Sequence, residues 1–184
     1  MNLPNKLTML RVIIIPVFVA LYLAQSYFWA LALFGLASLT DALDGVIARK
    51  YGLVTNFGAL MDPLADKLLV MAAMLCFLAV GLVHVAVVIA LLSREFLVTS
   101  IRLVAVGKGN VIAADMWGKL KTVIQMIWIL FGLLLLWLGA VEGWSAVVAP
   151  YWLVFNVLTW LALAFTVFSG FNYLVRNRHL ISDA

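Results

Sequence analysis

The stretch "LKTVIQMIWILFGLLLLWLGA", residues 120 to 140, has one charged side chain, Lys121, near its start and then runs apolar for the length of a bilayer crossing. A helix that spans hydrocarbon needs roughly 20 mostly apolar residues, so this segment reads as a membrane span. Five more candidates lie around it, at about 8 to 24, 28 to 48, 63 to 80, 83 to 105 and 149 to 174. With 67% hydrophobic positions, 11% charged residues and a mean hydropathy of +1.18, the chain carries more apolar surface than one soluble core of 184 residues could hide. The expected fold class is therefore all-α: a polytopic membrane protein of six transmembrane helices.

The breaks between these spans differ in charge. "AQSY", "GLVH" and "GAVEGWSAVVAP" contain no lysine or arginine, whereas Arg49, Lys50, Lys67, Lys108, Lys119 and Lys121 mark the other breaks or their edges, and Lys6, Arg11, Arg176 and Arg178 flank the termini. By the positive-inside rule, both termini lie in the cytoplasm, and the cell membrane is the expected location. The start, "MNLPNKLTMLRVIIIP", has no small-residue cleavage site, so it reads as a retained first span. Residues 1–184 form a single integral-membrane domain, with no internal repeat or linker. Cys76, the only cysteine, is read as packing. The net charge of +4 is explained by orientation and anionic lipid, so no nucleic acid is needed as a partner. Trp29, Trp117, Trp137, Trp144 and Trp152 lie near predicted span ends, as an interfacial belt would place them, while Trp128 and Trp160 fall inside spans.

One segment runs against this apolar character. "DALDGVIARKYGLVTNFGALMDPLADK", residues 41 to 67, holds four of the eight acidic side chains. Asp41 and Asp44 are three apart at the end of the second span and share a helical face with Gly45 and Ala48; Asp62 and Asp66 are four apart where the third begins. Pro63 is expected as an early-turn proline, and Gly52 and Gly58 as the glycines of a tight turn that brings the two helices side by side. Four like charges converging in a poorly hydrated place would favour protonation unless cations intervene. Oxygen donors without histidine or cysteine suit Mg²⁺ or Mn²⁺, and four carboxylates can hold two divalent ions about 4 Å apart, the arrangement used in phosphoryl chemistry. Arg49 adds a fork matched to phosphate. The bland reading, helix caps and interface charges, explains one or two aspartates but not four at paired helical spacings.

Asp41-x-x-Asp44-Gly45-x-x-Ala48-Arg49, eight residues, then Gly58-x-x-x-Asp62-x-x-x-Asp66 resembles the signature of the CDP-alcohol phosphotransferases without a departure. The resemblance implies that Asp41, Asp44 and Asp62 are metal ligands. It implies that Asp66 is the base that activates the attacking hydroxyl and can also touch a metal, and that Gly45, Ala48, Arg49 and Gly58 line the CDP pocket with Asp41 and Asp44. A homodimer is also implied. "NLPNKLTMLRVIIIP", "SREFLVTSIRLVA" and "GKLKTVIQM" are similar to segments of the phosphatidylglycerophosphate synthases within that family. They imply that CDP-diacylglycerol is the donor and sn-glycerol 3-phosphate the acceptor, the products being phosphatidylglycerophosphate and CMP. Cardiolipin, phosphatidylserine or phosphatidylinositol phosphate synthesis would use the same chemistry with another acceptor.

A dianionic acceptor calls for basic groups of its own. Arg94 lies about halfway along the fourth span, where an unpaired guanidinium is costly and suggests a cavity or a partner. Its sequence neighbour Glu95 is expected to point elsewhere on the helix, and Glu95 shares a face with Arg102, two turns on. Lys119 and Lys121 open the fifth span. Snorkelling to the interface is the alternative for Arg102, Lys119 and Lys121. Asn5, Thr8 and Arg11 form a second tier, since Asn5 or Thr8 could cap the first helix. Asp115, Asp183, His84 and His179 are given no chemistry. An ion transporter is the rival from a different class, but the outer breaks offer only Glu142 and His84 as acidic, basic or histidine side chains, and a one-sided site fits better.

Overall fold

The computed structural model describes the backbone of residues 3–51, 56–107 and 116–178, and the side chains of residues 9, 10, 12–40, 65, 67–105 and 116–178. The described residues are helical, without a strand: α1 (Leu3–Leu23), α2 (Tyr27–Tyr51), α3 (Asn56–Ala79), α4 (Val85–Gly107), α5 (Met116–Ala140), a single turn α6 (Ser145–Val148) and α7 (Tyr151–Arg176). Among them, α5 and α7 are long and apolar enough to cross a membrane. Each of the six predicted spans coincides with one long helix.

Two compact units are distinguished, one formed by residues 1–80 and 129–152, the other by 81–128 and 153–184. In the first, α1 packs against α2 and α3, and α2 touches α3. Aromatic rings join them: Phe18 lies 5.7 Å from Phe34 and Tyr22 lies 6.2 Å from Phe77, centroid to centroid, with all four side chains buried. Tilted pairs at such separations are the favourable aromatic geometry. Ala30, Ala37 and Ala73, also buried, leave room for the helices to approach closely. Cys76 is buried and free of any disulfide, as a packing residue should be. Phe28 at the start of α2 meets Trp137 near the end of α5 at 5.1 Å.

The connection from α1 to α2 is made without glycine. Gln25 takes φ +58°, its N–H bonds the Tyr22 carbonyl at 3.0 Å, and the Ser26 N–H reaches back to the Leu21 carbonyl at 2.9 Å. This is the left-handed helix end that glycine or asparagine ordinarily supplies. Gly81 and Gly143, at φ +74° and +79°, do so in the later breaks.

In the second unit, α4, the first half of α5 and most of α7 come together. Trp128 is fully buried, stacks on Phe155 at 5.9 Å and donates its indole N–H to Thr159 Oγ1 at 2.8 Å. The two tryptophans expected inside spans thus differ, for Trp160 is 65% exposed. Trp29, Trp117 and Trp144 are exposed near helix ends, the disposition of an interfacial belt.

Three local expectations are corrected. Helix α3 starts at Asn56, so Pro63 lies inside it rather than in its first turn, and Gly58 belongs to that first turn rather than to the connection; Gly52 lies outside the described residues. Helix α1 starts at Leu3, so Asn5 and Thr8 are within it and neither is its cap. The segment "GAVEGWSAVVAP", expected only as a break between spans, holds the short helix α6.

Candidate active site

The aspartate signature lies on the second half of α2 and the first half of α3. The side chains of residues 41–64 and 66 are outside the described set, so the site is built from helical register. On α2, Ala30, Phe34 and Ala37 are buried at alternating steps of four and three, and two further steps of four and three along the same stripe land on Asp41 and Asp44. On α3, Leu69 and Ala73 are buried, and counting back by three and four from Leu69 lands on Asp66 and Asp62. A spacing of 3.5 residues keeps one helical face turned toward a neighbour. Both aspartate pairs therefore occupy register positions that extend the buried face of their own helix, on two helices in contact. Gly45, Ala48 and Arg49 follow on the last turns of α2, and Gly58 sits in the first turn of α3. Among the described residues, no three acidic, histidine or cysteine side chains gather as a metal site. The four signature aspartates are not among the side chains so described.

The candidate basic residues are better defined. Arg94, on α4, donates from Nη1 to Glu95 Oε1 at 3.1 Å and from Nη2 to Ser169 Oγ of α7 at 3.1 Å. Lys121 of α5 is ion-paired with the same oxygen, Glu95 Oε1. The Lys121 side chain is 3% exposed, against 12% for Arg94 and 15% for Glu95. Here the expectation for Glu95 is overturned. Adjacent residues leave a helix about 100° apart, but both side chains are long enough to curl back to each other, and the third helix supplies the cation that draws Glu95 in.

Arg94 is also held sterically. A Cβ built on Gly170 of α7 would stand 2.9 Å from Arg94 Cγ, closer than carbon atoms tolerate, and one built on Gly118 of α5 would stand 3.6 Å from Nη2. The arginine stem thus occupies the volume that a side chain at 170 would need. Its buried Nε has no hydrogen-bond partner among the described residues, nor has Thr166 Oγ1 one turn before Gly170. Both atoms have hydrogen-bonding capacity to offer.

The remaining candidates divide. Arg102 lies over the buried Tyr173 ring at 5.7 Å, within cation–π range. Lys119 is exposed, as snorkelling would have it, whereas Lys121 is buried two residues later. Arg11, like Asn5 and Thr8, is on α1 with its side chain outside the described set. Ser169, Gly170, Thr166 and Gly118 were not foreseen. The available signal was the pair of small residues in "TVFSGFNY", residues 166 to 173, where a bulky span admits a neighbour's long side chain.

Comparison with known proteins identifies the family. Residues 1–168 match the family described as CDP-alcohol phosphatidyltransferase. A Bacillus subtilis protein named CDP-diacylglycerol--glycerol-3-phosphate 3-phosphatidyltransferase is 41% identical, covering 96% of this chain and 95% of that protein. A Rickettsia typhi protein of the same name is 40% identical, with 94% of each chain covered. A Mycobacterium tuberculosis protein named probable phosphatidylglycerophosphate synthase is 38% identical over 95% of this chain and 81% of its own length. With a match that takes in both aspartate-bearing helices and relatives that align along most of their own length, the chain belongs to the CDP-alcohol phosphatidyltransferase family.

Proposed function

We propose that this protein transfers the phosphatidyl group of CDP-diacylglycerol to sn-glycerol 3-phosphate, forming phosphatidylglycerophosphate and releasing CMP. The observation that carries this reading is the unbroken aspartate signature in register on α2 and α3, in a chain whose relatives bear that reaction in their names. An acceptor hydroxyl oxygen forms the new bond to the phosphatidyl phosphorus while the bond to the CMP oxygen breaks. The hydroxyl proton passes to Asp66, a carboxylate suited to general-base work. Gly45, Ala48 and Gly58 have little or no side chain to keep a diphosphate from the backbone, and Arg49 offers it two parallel donors.

Asp41, Asp44, Asp62 and Asp66 form a hard, all-oxygen donor set that fits two Mg²⁺ or Mn²⁺ ions. Bound there, the ions would supply charge neutralisation for the diphosphate and for the departing CMP. Arg94, Arg102, Lys119 and Lys121 are the candidates for the acceptor phosphate. The cavity or partner expected for Arg94 is supplied in part by Glu95 and Ser169.

All of the long helices cross the cell membrane in this reading, giving six spans with both termini and the active site cytoplasmic, in one domain over residues 1–184, working as a homodimer. Length supports it: the shortest, α1, has 21 residues, and at 1.5 Å per residue that is about 31 Å, the hydrocarbon thickness. Helix α4 carries three charges, but Arg94 and Glu95 are paired with each other and Glu95 with Lys121, which lowers the cost of a charged span.

The test is an acceptor panel on protein purified in detergent with CDP-diacylglycerol and Mg²⁺. Glycerol 3-phosphate should release CMP faster than serine, inositol phosphate or phosphatidylglycerol. Equal or greater release with one of the others would transfer the assignment to that acceptor, and ion flux in liposomes without CMP release would remove the enzyme altogether.

A further inference from the structure

Glu95 is an odd presence beside a place meant to attract a phosphate. A carboxylate there should repel the anion, yet it is the group that both cations share. Arg94 and Lys121 come from different helices and reach one oxygen of Glu95, Oε1, in surroundings where none of the three side chains is more than 15% exposed. Without an intervening negative charge, two cations so placed would repel strongly at low dielectric. Meanwhile α7 fixes the other side of Arg94. Ser169 Oγ accepts from Nη2, and the missing side chain of Gly170 leaves the space that the arginine stem fills. Each terminal nitrogen of the guanidinium makes one of these bonds and has a second N–H to offer, while Nε has no partner among the described residues.

We propose that Glu95 and Gly170 are positioning residues: Glu95 clamps Arg94 and Lys121 side by side as one cationic unit, and Gly170 provides the space that holds Arg94 in it, so that the phosphate of the acceptor meets two preset charges. This rests on the reading that Arg94 and Lys121 serve the acceptor phosphate. These three described side chains together carry a net charge of one positive unit, and a dianion docking on them meets donors that need no rearrangement, which is what preorganisation supplies. Neither residue touches the substrate in this account.

The experiment compares Glu95→Gln, Gly170→Ala, Arg94→Ala and Lys121→Ala in the full chain, in detergent with CDP-diacylglycerol and Mg²⁺, following CMP release as glycerol 3-phosphate is varied. Thermal unfolding and the KM for CDP-diacylglycerol report on folding. Glu95→Gln should raise the KM for glycerol 3-phosphate about tenfold while kcat and the donor KM move less than about twofold. Gly170→Ala changes no charge and should shift the same constant in the same direction. If Glu95→Gln instead lowers the acceptor KM, Glu95 is only a repelling neighbour and the clamp is overturned. If both variants lose kcat, donor KM and thermal stability together, their role is structural and the proposal fails. If Arg94→Ala and Lys121→Ala leave the acceptor KM unchanged, the underlying reading is what fails, and the clamp with it. A raised KM in Arg94→Ala with no effect of Glu95→Gln or Gly170→Ala overturns the clamp alone.

Discussion

The two units carry charge in opposite ways. On α2 and α3, four charges of one sign fall within 26 consecutive residues, at helical spacings and flanked by small residues. On α4, α5 and α7, charges of both signs are assembled from residues far apart in the chain: Glu95 pairs with its neighbour and with Lys121, 26 positions on, and Arg94 reaches Ser169, 75 positions on. Like charges, if brought together away from water, are unstable by themselves and call for a ligand from outside. Opposite charges that satisfy one another are stable without one. In the proposed reading the first arrangement waits for metal ions, and the second holds its cations charged and in place for an anion.

The comparison breaks most sharply at the aspartates. Asp41→Asn or Asp62→Asn removes a charge but almost no volume, so folding should survive while CMP release falls by about a thousandfold or more, the scale of losing transition-state electrostatics. Wild-type turnover in either variant would put the signature on a par with ordinary helix-end charges. Because like charge is relieved, the same variants should unfold at or above the wild-type temperature when no divalent ion is added. Glu95→Gln relieves no such repulsion and should bring no such gain.

Lys119 and Lys121 give the next test. They are two residues apart at the start of α5, yet one is exposed and the other buried against Glu95. Replacing Lys121 with methionine should cost about 2–3 kcal/mol by thermal or denaturant unfolding, because a buried pair loses one member. Replacing Lys119 in the same way should stay within about 0.5 kcal/mol, as exposed changes do. Equal effects would mean that burial does not separate the two.

These contrasts also mark what could be read in the chain. The helices were legible because a 20-residue apolar run is its own signal, and the catalytic candidates because the signature is local: every member lies within 26 positions and 3.6-residue geometry does the rest. What escaped depended on long-range packing. Nothing near Glu95 in sequence announces Lys121, and the value of Gly170 appears only when Arg94 of another helix fills the space beside it. The misread turn has a related cause. Gly58 and Pro63 look like breakers, but in an apolar setting an unsatisfied backbone is costlier than a helical glycine or a missing proline N–H, so α3 runs through both.

Trp128 offers a test of intermediate size. Trp128→Phe keeps a ring to stack on Phe155 and removes the N–H that Thr159 accepts at 2.8 Å, so stability should drop by about 1 kcal/mol, the net value of one buried hydrogen bond. Thr159→Val removes the other partner, and the double variant should fall short of the sum of the two. Additive losses would show that the indole and hydroxyl are not coupled.

The smallest effect should be a gain, at the α1–α2 connection. Gln25 closes α1 at φ +58°, a conformation that crowds an L side chain's Cβ against the backbone and costs about 1 kcal/mol. Gln25→Gly removes that crowding but enlarges the conformational freedom lost on folding, so the net gain should be about 0.5 kcal/mol. For a chain of 184 residues that is a rise in Tm of about 1–2 °C. Gln25→Val, which stiffens the Cβ further, should lower Tm instead. A β-branched residue tolerated there without loss would mean that the two hydrogen bonds to Leu21 and Tyr22 do not hold the turn left-handed, and that the α1–α2 junction is set by the contact of the Tyr22 and Tyr27 rings on either side of it.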